Sequence, residues 1–131
     1  MRALTFALSL ALTGASAAAA SLSDEADINR GLLAVGIADE VRKKCDSIEP
    51  RLIRAYSFLN DLKAQARAKG YSDDEIEAYV TSDAEKKRMR ALGEAYLQKN
   101  GVDLKDASSY CTFGEEEIAK GSQIGVLLRA R

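Results

Sequence analysis

The chain has no histidine and no tryptophan, only one proline, three phenylalanines and two cysteines in 131 residues. Each shortage removes a class of chemistry. Without histidine there is no Ser-His-Asp triad, no Cys-His pair and no imidazole-held zinc. A c-type haem, which needs Cys-x-x-Cys-His, is excluded for the same reason. The lack of tryptophan and the scarcity of phenylalanine argue against an aromatic platform for stacking sugars. Charge of one sign is missing as well, with 19 basic against 20 acidic residues. Nucleic acid and anionic membrane surfaces both want a net basic face, so neither is an expected partner.

The most informative stretch is the start. Met1-Arg2 is followed by an apolar run from Ala3 to Leu12 and then by Gly14-Ala15-Ser16-Ala17-Ala18-Ala19-Ala20. A basic start, a short apolar segment and an Ala-x-Ala exit together predict a secretory signal peptide over residues 1–20. The expected cut follows Ala20, with Ala19 as the alternative. Leu12 ends the only long apolar run, and that run is too short to span a bilayer. The mature protein is therefore expected to be soluble, without stable membrane insertion, in the periplasm or secreted medium. Losing Arg2 with the leader leaves 18 basic residues against 20 acidic ones, a net charge of about −2. The remaining 111 residues suit one domain, residues 21–131.

In an oxidising compartment the two cysteines, Cys45 and Cys111, read as one disulfide. Closing a loop of about 66 residues stabilises a fold by roughly 4 kcal/mol in the chain-entropy model. The bridge is expected to tie the start of the second helix to the last one.

Helix signals dominate the rest. Ile28, Leu32, Val35, Ala38 and Val41 recur at helical spacing and predict a first helix over about 26–44, with Arg42, Lys43 and Lys44 at its negative end. Pro50 fits the first turn of a second helix, whose stripe is Leu52, Ile53, Tyr56, Leu59 and Leu62 and whose stop is Gly70. Ser72 and Glu75 form a capping box, with Tyr71 and Ile76 as its hydrophobic staple, and open a short third helix to about Val80. Ser82 and Glu85 repeat the box for a fourth helix, carrying Met89, Leu92, Tyr96 and Leu97 and ending before Asn100-Gly101. Asp106 can cap a last helix. Its stripe of Cys111, Gly114, Ile118, Gly121, Gly125 and Leu128 suits one helix reaching Leu128, whereas propensity suits a break at Gly121. No useful β-alternation appears, so the expected fold is an all-α bundle of four to six helices.

Several clusters invite a function, and each has a plainer account. Glu115-Glu116-Glu117 complements a helix dipole. Asp73-Asp74-Glu75-Glu77 lacks the spacing of a calcium loop and serves capping. Lys86, Lys87, Arg88 and Arg90 spread around a helix, with an acidic partner as the sharper reading. Tyr56, Tyr71, Tyr79, Tyr96 and Tyr110 suit core-boundary packing, or a tyrosine-lined groove. Ser122 lies between Gly121 and Gly125 outside any Gly-x-Ser-x-Gly elbow. Gly114, Gly121 and Gly125 mark close helix packing or an interface. No catalytic, cofactor or metal residues are expected.

Cys45, Gly70-Tyr71-Ser72, Tyr96-Leu97, Tyr110-Cys111 and the C-terminal run Gly114-x-x-Glu117-Ile118-x-x-Gly121-Ser122-x-x-Gly125-x-Leu127-Leu128-Arg129 carry a resemblance. They resemble a family of short exported bacterial proteins catalogued as domain of unknown function 5333. The resemblance implies a small Gram-negative periplasmic protein with paired cysteines, and it brings no catalytic residues. The leading expectation is a non-catalytic binding or accessory protein with an unknown protein partner. The alternatives are an acid-stress chaperone and a histidine-free enzyme using two carboxylates.

Overall fold

The last three helices each begin where a side chain satisfies a first amide group, and three of the five helices among the described residues stop at a glycine with positive φ, Gly70, Gly101 or Gly121. The computed structural model describes residues 21–131; the predicted leader lies outside the described residues. After a 3-10 turn at Leu22–Asp24 come α1 (Ala26–Lys44), β1 (Ile48–Pro50), α2 (Leu52–Ala68), α3 (Asp73–Thr81), α4 (Asp83–Lys99) and α5 (Ala107–Lys120). A second 3-10 turn, Gly125–Leu127, leads into β2 (Leu128–Ala130).

The capping signals operate as read. Ser72 Oγ accepts the Glu75 amide at 3.1 Å, and the Glu75 carboxylate returns the bond to the Ser72 amide at 3.3 Å. Tyr71 and Ile76 pack together with Leu22, Ile28 and Ala66 in a small satellite cluster. Ser82 caps α4 through the Glu85 amide at 3.3 Å, but the Glu85 carboxylate turns instead to Arg88 at 2.9 Å. Asp106 caps α5 by accepting the Ser108 amide at 3.0 Å.

α1 is the central element and packs against α2, α4 and α5. A helix surrounded on several sides needs apolar residues around much of its circumference. Its buried set is accordingly Ile28, Gly31, Ala34, Ile37, Ala38 and Val41, wider than the stripe expected, while Leu32 and Val35 are only half-buried. The main core joins Ala34, Ile37, Ala38 and Val41 of α1 to Ile48, Leu97, Val102, Phe113, Ile124, Leu127 and Leu128.

Cys45 and Cys111 are bonded, with Cα atoms 5.2 Å apart, inside the range a disulfide accepts. The bridge joins the end of α1, not the start of the second helix, to α5. Cys45 caps α1 through its amide bond to the Val41 carbonyl, whereas α2 begins seven residues later.

The last segment follows the break at Gly121 that propensity suits and not the single helix to Leu128, while around Pro50 an expectation gives way. The last helix stops at Lys120 and does not reach Leu128. Gly121 takes a left-handed conformation, φ 61°, and its amide bonds the Ile118 carbonyl while the Ser122 amide bonds that of Glu117. This is a Schellman end, which satisfies carbonyls the helix would leave orphaned. The chain then returns as β2, antiparallel to β1, with Ile48 opposite Ala130 and Glu49 opposite Arg129. Pro50 sits in β1 opposite Leu128, before the helix rather than in its first turn. An edge strand tolerates proline because its missing amide is not needed for pairing.

Candidate functional site

The glycines of the expected stripe do three separate jobs. At Gly114 a Cβ would lie 2.6 Å from Ile48 Cδ1 and 2.7 Å from Val41 Cγ1, so this position lets β1 and α1 close onto α5. At Gly125 a Cβ would lie 2.7 Å from the Ile118 backbone nitrogen and closer still to the Glu117 carbonyl. The returning chain therefore rests directly on the last turn of α5. Gly121 leaves the stripe altogether: a side chain there would touch nothing within 4 Å, and its role is the helix stop. Ser122 is structural too, its Oγ accepting the Gly125 amide at 2.9 Å.

The exposed apolar surface lies on α2. Leu62 and Ala66 are buried on its inner face and Phe58 is half-buried. Leu62 fills the space left by Gly31, where a Cβ would come within 2.6 Å of it. The outer face carries Leu52 at 72% exposure, Ile53 at 89% and Tyr56 at 69%, with Leu59 half in solvent. Four of the five residues expected to form this helix's buried stripe thus face outward. Arg51, Arg54 and Arg129 line the shallow hollow next to Leu52 and Ile53. Arg129 is bound to Glu49, whereas Arg51 and Arg54 have no ion-pair partner among the described residues. The surface is apolar at its centre and basic at its edge.

A second concave region, of about 620 Å³, runs between α1 and α4. Its floor includes Leu33, Ile37, Met89 and Leu97, and two glycines, Gly36 and Gly93, face it from the two helices. The helices run in the same direction. Tyr79, just before α4, donates to the Asn29 side chain near the start of α1 and accepts from Arg88 at 2.9 Å, while Gly93 lies against Ile37 and Leu33. Lys86 and Arg90 therefore lie toward one end of the groove, and Glu40, Lys43, Lys44, Glu94 and Tyr110 toward the other, so both ends carry basic residues. Burial, with the negative charges of Glu40, Glu94 and Asp103, raises the pKa of the Tyr110 phenol above its ordinary value.

The remaining clusters are absorbed by the fold. Glu115 and Glu116 are exposed, while Glu117 is 5% exposed, with Lys120 Nζ 3.7 Å from it. Asp73 is gripped by Arg67 at 2.6 Å, and this bond holds its carboxyl below the ordinary range. Tyr71 donates to Glu25 at 2.9 Å. The Glu25 carboxyl is lowered by that bond and then by Lys69, while burial and the bonded Glu25 push the Tyr71 phenol up to about 12. Among the described residues no three histidine, cysteine or acidic side chains converge as a metal site, and no helix is long and apolar enough to cross a membrane.

Neither surface was legible as such in the sequence. The α2 face was visible as a stripe but assigned to the core, and the groove depends on two glycines in separate helices. No curated protein and no solved structure matches the chain. A family model does match, over residues 20–129, and the chain belongs to that family, DUF5333, a family of unknown function.

Proposed function

We propose that this is an exported, non-catalytic accessory protein that docks a protein partner on the outer face of α2. The exposure of Leu52, Ile53 and Tyr56 on one well-packed helix carries the reading. Single exposed apolar residues are ordinary, but a contiguous set rimmed by polar groups marks interaction surfaces on monomeric proteins. Arg51 and Arg54 favour a partner whose contact surface is apolar at its centre and acidic at its margin. They also work against a symmetric pairing of this face with itself, which would bring like charges together. The absence of histidine supports binding over catalysis, and the leader sequence with the bonded cysteines supports export.

The test is capture from periplasmic extract by the mature protein and by a Leu52→Ser, Ile53→Ser, Tyr56→Ser variant. The variant is expected to keep the native melting temperature, because these side chains are exposed, and to lose the captured partner. Equal capture by the native and substituted proteins would overturn the assignment.

A further inference from the structure

The two sulfurs of the disulfide stand in unlike surroundings. Cys45, at the end of α1, is 0% exposed and belongs to the main core. Cys111, on α5, packs against that core but is only half-buried, so its sulfur lies on the solvent side of the bridge. One hydroxyl serves both: Ser47 Oγ lies 3.2 Å from Cys45 Sγ and 3.9 Å from Cys111 Sγ. A bridged sulfur carries no hydrogen, so the serine is the donor, and it donates to the nearer sulfur, Cys45. The Ser47 backbone is held in turn, its carbonyl accepting the Arg131 amide at 2.9 Å beside the β1–β2 pairing.

A disulfide opens when a thiolate attacks one sulfur and expels the other, so access to each sulfur decides the direction. Attack at Cys45 is closed, because that residue has no surface for a nucleophile to reach. Attack at Cys111 is open, and the sulfur it expels is Cys45, the one that Ser47 already bonds. A hydrogen bond to an ionised acceptor is roughly twice as strong as a neutral one, so this bond tightens as charge develops on Cys45. Redox-active cysteines commonly combine an accessible sulfur with a resolving neighbour, and these two residues divide in that way.

We propose that the bridge is a directional thiol-exchange site, with Cys111 as the sulfur that takes an incoming thiol and Cys45 as the buried resolving cysteine. Ser47 is the positioning residue that stabilises Cys45 as it leaves. The co-reactant is a dithiol. Its first thiolate bonds to Cys111 Sγ while the Sγ–Sγ bond breaks and Cys45 departs as a thiolate. Its second thiolate then attacks its own sulfur in the mixed disulfide, and Cys111 departs. The dithiol ends as a disulfide and the bridge as two thiols; two electrons pass, and the two protons the dithiol loses are matched by those Cys45 and Cys111 take up. The opened pair stays adjacent, because Gly114, one turn after Cys111, is packed on Ile48 and Val41, and the Val41 carbonyl holds the Cys45 amide at 2.9 Å. Reclosure runs the same route backward, with a disulfide as the oxidant.

Reduction of the oxidised mature protein in native buffer, by glutathione and by dithiothreitol, tests this. After acid quench, alkylation and peptide mass mapping, glutathione is expected on Cys111 and the alkyl group on Cys45. Dithiothreitol should open the bridge at a rate proportional to its concentration. Ser47→Ala should melt at the native temperature, since Ser47 is exposed, yet slow this opening about fivefold, the worth of one hydrogen bond. Ser47→Thr should restore most of the rate, a rescue that a merely structural role for the residue would not produce. Glutathione found on Cys45, opening only as fast as the protein unfolds, or a native rate in Ser47→Ala would overturn the proposal. Serine substitutions on the α2 face should leave these rates unchanged, so the two sites fail separately.

Discussion

Replacing Gly125 by alanine adds one methyl group and should cost this protein more than any other single methyl addition at its glycines. The backbone there is compatible with alanine, because Gly125 is not among the positive-φ positions. The penalty is therefore steric. The added Cβ would lie 2.7 Å from the Ile118 nitrogen and much closer to the Glu117 carbonyl, so the two stretches of backbone must part by well over the distance between 2.7 Å and the 3.4 Å of ordinary contact. Backbone cannot swing aside as a side-chain tip can. The last turn of α5 is fixed by the Schellman bonds, and the returning chain is fixed by the bond from the Gly125 amide to Ser122 Oγ. Separation would also lift Ile124, Leu127 and Leu128 from the core, where each is almost wholly buried. Overpacking typically costs 1–3 kcal/mol, and a backbone collision belongs near the upper end, about 3 kcal/mol. For a domain of this size that corresponds to a fall of roughly 10–20 °C in melting temperature. Guanidinium denaturation of the oxidised mature protein reads the change directly, with the slope unaltered if only stability has moved. A Gly125→Ala protein within about 0.5 kcal/mol of the native one would refute the close approach of the chain to α5.

The other glycines give contrasting signs. Gly121→Ala should cost about 1 kcal/mol through its left-handed backbone, and Gly36→Ala should gain about 0.5–1 kcal/mol through helix propensity, both read in the same melts. Cys45→Ser with Cys111→Ser should lose up to roughly 4 kcal/mol, and a melt unchanged by reductant would contradict the bridge's contribution. In acid, Glu25 and Asp73 have carboxyls lowered by their bonds to Tyr71 and Arg67; at Asp39 burial opposes the shift but bonds from Lys43 and Arg42 outweigh it. Their stabilisation is complete above the ordinary carboxylate range and is lost as pH falls through their lowered values, so melts should be flat near neutrality and decline below pH 4. At the other extreme, the Tyr71 phenol is raised to about 12 by burial and by Glu25, so stability should fall as pH rises from its ordinary 10 toward 12. Aggregation assays at pH 2–3 should show no holdase activity, and suppression of client aggregation there would favour the chaperone reading instead.

The helices were legible because their ends are local chemistry. Ser72 with Glu75, Asp106, Gly70 and Gly101 act within a few residues, and the pattern needs no knowledge of the rest of the chain. The paired β1 and β2 were not legible, since strands of three residues carry no alternation and the pairing joins Ile48 to Ala130, far apart in sequence. α2 misled for a different reason. Apolar residues occupy two of its faces, Leu52, Ile53, Tyr56 and Leu59 on one and Ala55, Phe58, Leu62 and Ala66 on the other, and only tertiary packing, with Leu62 set against Gly31 of α1, decides which is buried. The same limit hid the groove. Gly36 and Gly93 lie in separate helices, and only the placement of α1 beside α4 brings them to one groove.

The central claim, that the outer face of α2 is a docking surface for a protein partner, is tested most directly by photo-crosslinking in the periplasm. A photoreactive residue at position 53, nine-tenths exposed at the centre of the apolar face, is expected to give one discrete protein adduct. The same group at exposed Glu116 on α5 should give none. Adducts of equal yield from both positions, or none from position 53 in correctly exported and oxidised protein, would contradict the account.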